Sequence, residues 1–236
     1  MKITLLTGKT FDIKEKVGID IKVIQSTSSR KLTLRIDAKN HIPVLSIPRF
    51  CSRKKAVSFV NENMDWILEN LQKLPETKTF QNGEKISFLG NEVTICHCPQ
   101  ARRGVWLQDG HIFVSGNIEF LHRRVRDFIK AEAQKEFYML SKKLADRIDC
   151  QLHHVFMKDT KSRWGSCSSL GNINYSWRIA LAPKCVIDYL MAHEVAHLKH
   201  PDHSDEFWAC VYFLYPNWVQ GRSWLNKHGK ELYAYL

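Results

Sequence analysis

The sequence predicts an α+β protein, on three observations. Short runs of alternating apolar and polar residues crowd the first 115 residues. A long stretch of helical periodicity free of Gly and Pro begins near residue 118, and further helical segments flank a His-rich stretch near residue 200. Alternation at a period of two marks half-buried strands, whereas recurrence at three and four marks a helix. In this order the elements predict a strand-rich N-terminal unit over residues 1–115, followed by a largely helical unit with a small sheet over residues 116–236.

Three strands are expected first, around Ile19, Ile21 and Val23, then Leu32, Leu34 and Ile36, then Val44, Leu45 and Ile47. From Ser52 the period changes. Ala56, Phe59, Val60, Met64, Ile67, Leu68 and Leu71 fall on one helical face, Ser52 can cap the helix, and Pro75 lies beyond its end. Strands return at Ile86–Leu89, Val93–Cys98, Val105–Leu107 and Ile112–Val114, with Asp109-Gly110 as a hairpin signal between the last two.

The long helix from Ile118 to Ile148 has an apolar face that includes Val125, Ile129, Phe137 and Leu144. Its opposite face carries Arg123, Arg126, Lys130 and Lys142 and reads as solvated. A strand at His153–Lys158, a polar turn, a strand at Ile173–Leu181 and a helix from Pro183 to about His200 follow. Pro201 stops that helix, and Ser204 caps the next. The aromatic residues beyond, including Phe207, Trp208 and Trp218, are spaced as core packing that supports the His-rich loop rather than as a stacking platform.

Composition narrows the class. With 44% hydrophobic and 25% charged residues the chain is ordinary globular protein, which excludes a disordered or fibrous one. No apolar run approaches the roughly 20 residues of a membrane span, and Met1–Asp12 is too short and polar for a secretory signal. Seven cysteines without framework spacing argue against disulfide stapling, so a cytoplasmic protein with reduced thiols is expected. The 35 Lys and Arg against 24 Asp and Glu give a formal charge of +11, which attracts polyanions. No helix-turn-helix, zinc-finger or RNA-binding signature accompanies it, so specific nucleic-acid binding is not expected.

The chemistry concentrates in His193-Glu194-Val195-Ala196-His197, an H-E-x-x-H pattern. On a helix, residues four apart share a face about 6 Å apart, so both imidazoles can reach one cation. Glu194 sits about 100° around the helix, free to act as a base. The helix is apolar on nearly all sides, and burying two His and a Glu there is costly unless a cation compensates. Three candidates exist for a third ligand. His200 shares the face but lies about 10 Å along the axis from His193. His203 follows Pro201, where the chain can turn back, and this favours it. Glu206 is the carboxylate alternative.

The preceding loop, Lys161–Ser169, combines Lys161 and Arg163 with several hydroxyls, Ser166 among them, and could bind an anion or an oxyanion, with Arg178 on the next strand as a possible partner. Tyr189, one turn before His193, is a further oxyanion candidate. Cys167 lacks a visible base to make it a nucleophile, and strand alternation turns His97 away from Cys96 and Cys98.

Lys161–Ser169, Ile173–Pro183 and the stretch from His193 to Trp208 resemble the YgjP-like metallopeptidase family, formerly a domain of unknown function. Weaker likeness upstream includes Arg30-Lys31-Leu32-Thr33-Leu34 and Phe88-Leu89-Gly90-Asn91. Where the family usually has Asn before the third His, this chain has Asp202. The resemblance implies a zincin-like catalytic unit related to the SprT and WLM groups, with Zn²⁺ or another divalent metal held by His193, His197 and His203. It implies Glu194 as the base activating metal-bound water, and a peptide as the simplest substrate. Some members are described as nucleoside triphosphate pyrophosphohydrolases, so a nucleotide such as UTP is the alternative substrate, with Lys161, Arg163 and the serines suited to its phosphates.

Overall fold

A computed structural model describes residues 2–5, 10–12, 19–26, 29–37, 40–73, 76–160 and 163–235. The chain divides into two compact units, Met1–Glu76 and Thr77–Leu236.

The first unit holds strands β1 (Lys2–Leu5), β2 (Thr10–Asp12), β3 (Ile21–Ser26), β4 (Thr33–Asp37) and β5 (Ile42–Pro48), then helices α1 (Arg53–Glu62) and α2 (Met64–Gln72). The sheet order is β2-β1-β3-β5-β4, in which β3 runs parallel to β5 while β4 pairs β5 antiparallel. The three expected strands are all present, and β1 and β2 extend the sheet beyond them. Ile21, Val23, Leu45 and Ile47 turn inward against Val60 and Ile67 of the helices. The single expected helix is two. Ser52 caps α1 by accepting from the Lys55 amide, and the chain breaks at Asn63, whose amide side chain donates to the Phe59 carbonyl at 2.8 Å. Asn competes for backbone hydrogen bonds and so tends to end helices rather than sustain them. Pro75 lies outside the described residues.

The second unit opens with β6 (Lys85–Phe88), β7 (Asn91–Cys98), β8 (Val105–Gln108) and β9 (His111–Ser115), ordered β6-β7-β9-β8. The β8–β9 turn has Asp109 and Gly110 both at positive φ, 49° and 73°, the conformation a two-residue hairpin demands. Helix α3 (Leu121–Asp146) follows a 3-10 turn and buries Leu121, Val125, Ile129, Ala133 and Phe137 in one stripe. Next come β10 (His154–Lys158), β11 (Gly165–Cys167) and β12 (Asn172–Ser176), with β12 central, parallel to β10 and antiparallel to β11. Helices α4 (Lys184–Ala196), α5 (Asp205–Leu214) and α6 (Trp218–His228) complete the unit with a C-terminal 3-10 turn. No helix among the described residues is long and apolar enough to cross a membrane.

Three expectations are corrected here. The division falls after Glu76 rather than near residue 116, because Ile86, Phe88, Ile95, Ile112 and Val114 share one core with Val125 and Phe137 of α3 and Ile187 of α4. The apolar run Trp177–Leu181 is a buried 3-10 segment instead of the second half of a strand. Pro183 stands at the N-cap of α4, whose last helical residue is Ala196 and not a residue near His200.

Candidate metal centre

Helix α4 carries both residues of the His pair, and its burial follows from its composition. Val186, Ile187, Leu190, Met191, Ala192 and Val195 are all at or below 4% exposure, so the helix is core on nearly every side. His197 caps its C-terminus, and the chain turns through Pro201 to bring His203 back just before α5. Ser204 fixes that return by accepting from the Phe207 amide.

The three imidazoles converge. Ring centroids lie 5.0 Å apart for His193 and His197, 5.1 Å for His193 and His203, and 4.8 Å for His197 and His203. One ligand nitrogen from each lies within 4.8 Å of the others. His197 Nδ1 lies 3.0 Å from the His200 carbonyl. A carbonyl can only accept, so Nδ1 carries the proton and the Nε2 lone pair stays free for a cation. Nε2 of His193 and of His203 face each other at 3.3 Å. Burial, then the charges of His197, His203 and Arg222, pushes His193 down to about 3, and burial lowers His197 as well, so both favour the neutral, ligating form.

Phe207 forms the floor, with ring centroids 5.0, 4.5 and 4.7 Å from His193, His197 and His203. Trp208 stacks on His203 and on Trp218. The downstream aromatics therefore support the His loop, as expected. His200 contributes its carbonyl rather than its ring, and Glu206 is an exposed carboxylate in the first turn of α5, so neither joins the converging set.

Glu194 is 4% exposed, and burial raises its carboxyl to about 8 against the opposing charge of Arg163. Its Oε2 is buried without a hydrogen-bond partner. An orphaned carboxyl oxygen beside three converging imidazoles is a donor set that a divalent cation and its solvent would satisfy. Gly165 on β11 makes this position possible. A Cβ there would sit 2.3 Å from Glu194 Oε1, a distance no side chain tolerates. The sequence reading missed Gly165 as a functional residue; its one signal was a lone Gly amid the hydroxyl-rich loop.

A cleft of about 450 Å³ opens over these groups, and Arg163, Gly165, Ser166, Cys167, His193, Glu194, His197 and His203 help line it. Arg163 and Ser166 thus lie on the cleft wall, while Lys161 lies outside the described residues. Arg178 does not reach the cleft. It is fully buried, donates through Nε to the Tyr235 carbonyl at 3.0 Å, and pairs with Asp159. Tyr189 is also buried, set edge-on to His193 at 5.7 Å and away from the cleft lining. Burial, with the Glu194 charge, pushes the Cys167 thiol up to about 11, the opposite of nucleophile activation. His97 Nε2 bonds the Gly116 carbonyl, and the described residues place no metal cluster around Cys96 and Cys98.

An α+β fold carrying an H-E-x-x-H helix and a third imidazole in the following loop defines a metallopeptidase-type domain. A family model, the YgjP-like metallopeptidase domain, matches residues 30–228, and the chain belongs to that family. No curated protein and no solved structure matches it.

Proposed function

We propose that the protein is a zinc-dependent peptidase with Glu194 as its general base. The convergence of His193, His197 and His203 beside a buried, unpartnered Glu194 carries this reading. A Zn²⁺ ion held by the three imidazoles would supply Lewis acidity toward a substrate carbonyl and toward water. Glu194 accepts a proton at Oε2 and returns it to the leaving amine, while the Gly165 contact holds its carboxylate in place. Arg163, on the cleft wall, offers a cation for developing negative charge.

The edge of the small sheet supports a peptide substrate. Ser176 N donates to the Trp164 carbonyl and Ser168 N to the Asn172 carbonyl, so the ladder bonds of β11 fall at Trp164, Ser166 and Ser168. Gly165 and Cys167 therefore direct their amide and carbonyl groups to the opposite edge. That edge pairs with no strand among the described residues, and both residues line the cleft. An extended peptide can add there as a further strand. The second reading, hydrolysis of a nucleoside triphosphate such as UTP, draws on Arg163 and on Ser166, Ser168 and Ser169 in the same cleft. All seven cysteines are free thiols, which supports a reducing compartment such as the cytoplasm.

Glu194→Gln distinguishes the mechanism from a purely structural metal site. Metal content should be unchanged while turnover falls about 10²- to 10⁴-fold; undiminished turnover contradicts the role. Parallel assays on denatured casein and on UTP, reading released peptides and pyrophosphate, decide the substrate class.

A further inference from the structure

The N-terminal unit carries a second cleft, of about 820 Å³, that the hydrolase reading does not use. The Ser29–Leu32 segment, the end of β5 and the start of α1 enclose it. Arg30, Lys31, Arg49 and Lys55 line it; all four are exposed, and none has an acidic partner among the described residues. From Arg30 to Lys55 the sequence holds eight Lys or Arg against one acidic residue, Asp37. Asp37 is not among the residues that line the cleft; it is 5% exposed and accepts from the backbone and side-chain amide nitrogens of Asn40. On the same rim Phe50 is 92% exposed, with the Arg49 guanidinium 5.6 Å from its ring centroid.

We propose that this cleft binds single-stranded nucleic acid without regard to sequence, its backbone phosphates on Arg30, Lys31, Arg49 and Lys55 and a base stacked on Phe50. A cationic groove beside an exposed aromatic ring is what such binding requires, since phosphates supply the charge and every base has a face to stack. A duplex keeps its bases turned inward, so Phe50 would gain nothing from one. An anionic membrane is met by a broad apolar face, whereas this surface is concave and its one exposed ring is Phe50, with Phe59 half-buried behind it. The absence of a reading motif in the sequence agrees with binding that reads no sequence.

Fluorescence anisotropy of the full chain with a labelled oligothymidylate of about twenty nucleotides tests this. Four phosphates neutralised on a single strand give a slope of log K against log salt of about −2.8. Removing two cations with Arg30→Gln and Lys55→Gln should bring the slope to about −1.4. Phe50→Ala should weaken binding about tenfold at fixed salt. Unchanged circular dichroism and melting establish that these exposed substitutions leave the fold intact. Absence of binding at low salt overturns the proposal. So does full binding by both variants, which places the contact elsewhere, for example on the basic face of α3. Equal affinity for a duplex, or tighter binding to phosphatidylserine vesicles than to the oligonucleotide, overturns it as well.

Discussion

Gly165 and Glu194 exclude each other's alternatives: the carboxylate occupies the space any side chain at 165 would need, and the strand's backbone in turn limits where the carboxylate can move. Gly165→Ala is therefore expected to displace the Glu194 carboxylate by about an ångström and to cost about a hundredfold in kcat, with metal content unchanged. Steady-state kinetics with elemental analysis checks both halves. Arg178 makes the opposite prediction. Its guanidinium serves the C-terminal segment and Asp159, so Arg178→Ala should destabilise the protein by about 1.5–3 kcal/mol by denaturant unfolding while leaving KM of the folded fraction unaltered. The contrast shows what residue chemistry alone reveals. His193, Glu194 and His197 were legible because helical spacing turns sequence distance into a shared face, and His203 because a proline ends that face. Arg178 was misread as a site residue, although its flanking Trp177, Ile179, Ala180 and Leu181 are apolar without alternation, the mark of a segment buried all round. Nothing in a lone glycine tells that a carboxylate from another element will lie against it.

At the scale of elements, the third imidazole depends on a cap. His203 precedes Ser204, whose side chain accepts from Phe207 N and starts α5, and Phe207 is itself the floor beneath all three rings. Ser204→Ala should cost about 1 kcal/mol of stability. It should also weaken metal affinity measured by competition with a chelator, because the loop that presents His203 loses its anchor. A loss of stability with unchanged affinity would separate the cap from the metal site. Helix α3 and strands as short as β8 were legible, while β11 was not. Helix α3 shows an unbroken stripe over its whole length, but β11 has three residues, too few for alternation to register. The 3-10 segment Trp177–Leu181 was mistaken for strand because a fully buried run carries no period.

At the scale of the whole molecule, the described residues form two hydrophobic cores, one around Leu45 and Val60 and the other around Phe137 and Ile187. The sequence reading divided the chain by its change of pattern near residue 116. Packing divides it after Glu76, since a sheet and a helix of different periods can bury each other's apolar faces in one core. Separate cores predict that urea unfolding, followed at several wavelengths, departs from a single two-state transition. Ligand linkage further predicts that chelation lowers only the transition of the Thr77–Leu236 unit, which holds all three imidazoles. Coincident transitions that shift together would contradict both statements. The most direct test of the central claim is elemental analysis of the purified chain and of His203→Ala after dialysis against zinc. The account predicts about one equivalent of zinc per native chain and a large loss in the variant. A native chain that takes up no zinc, or a variant that keeps a full equivalent, would contradict it.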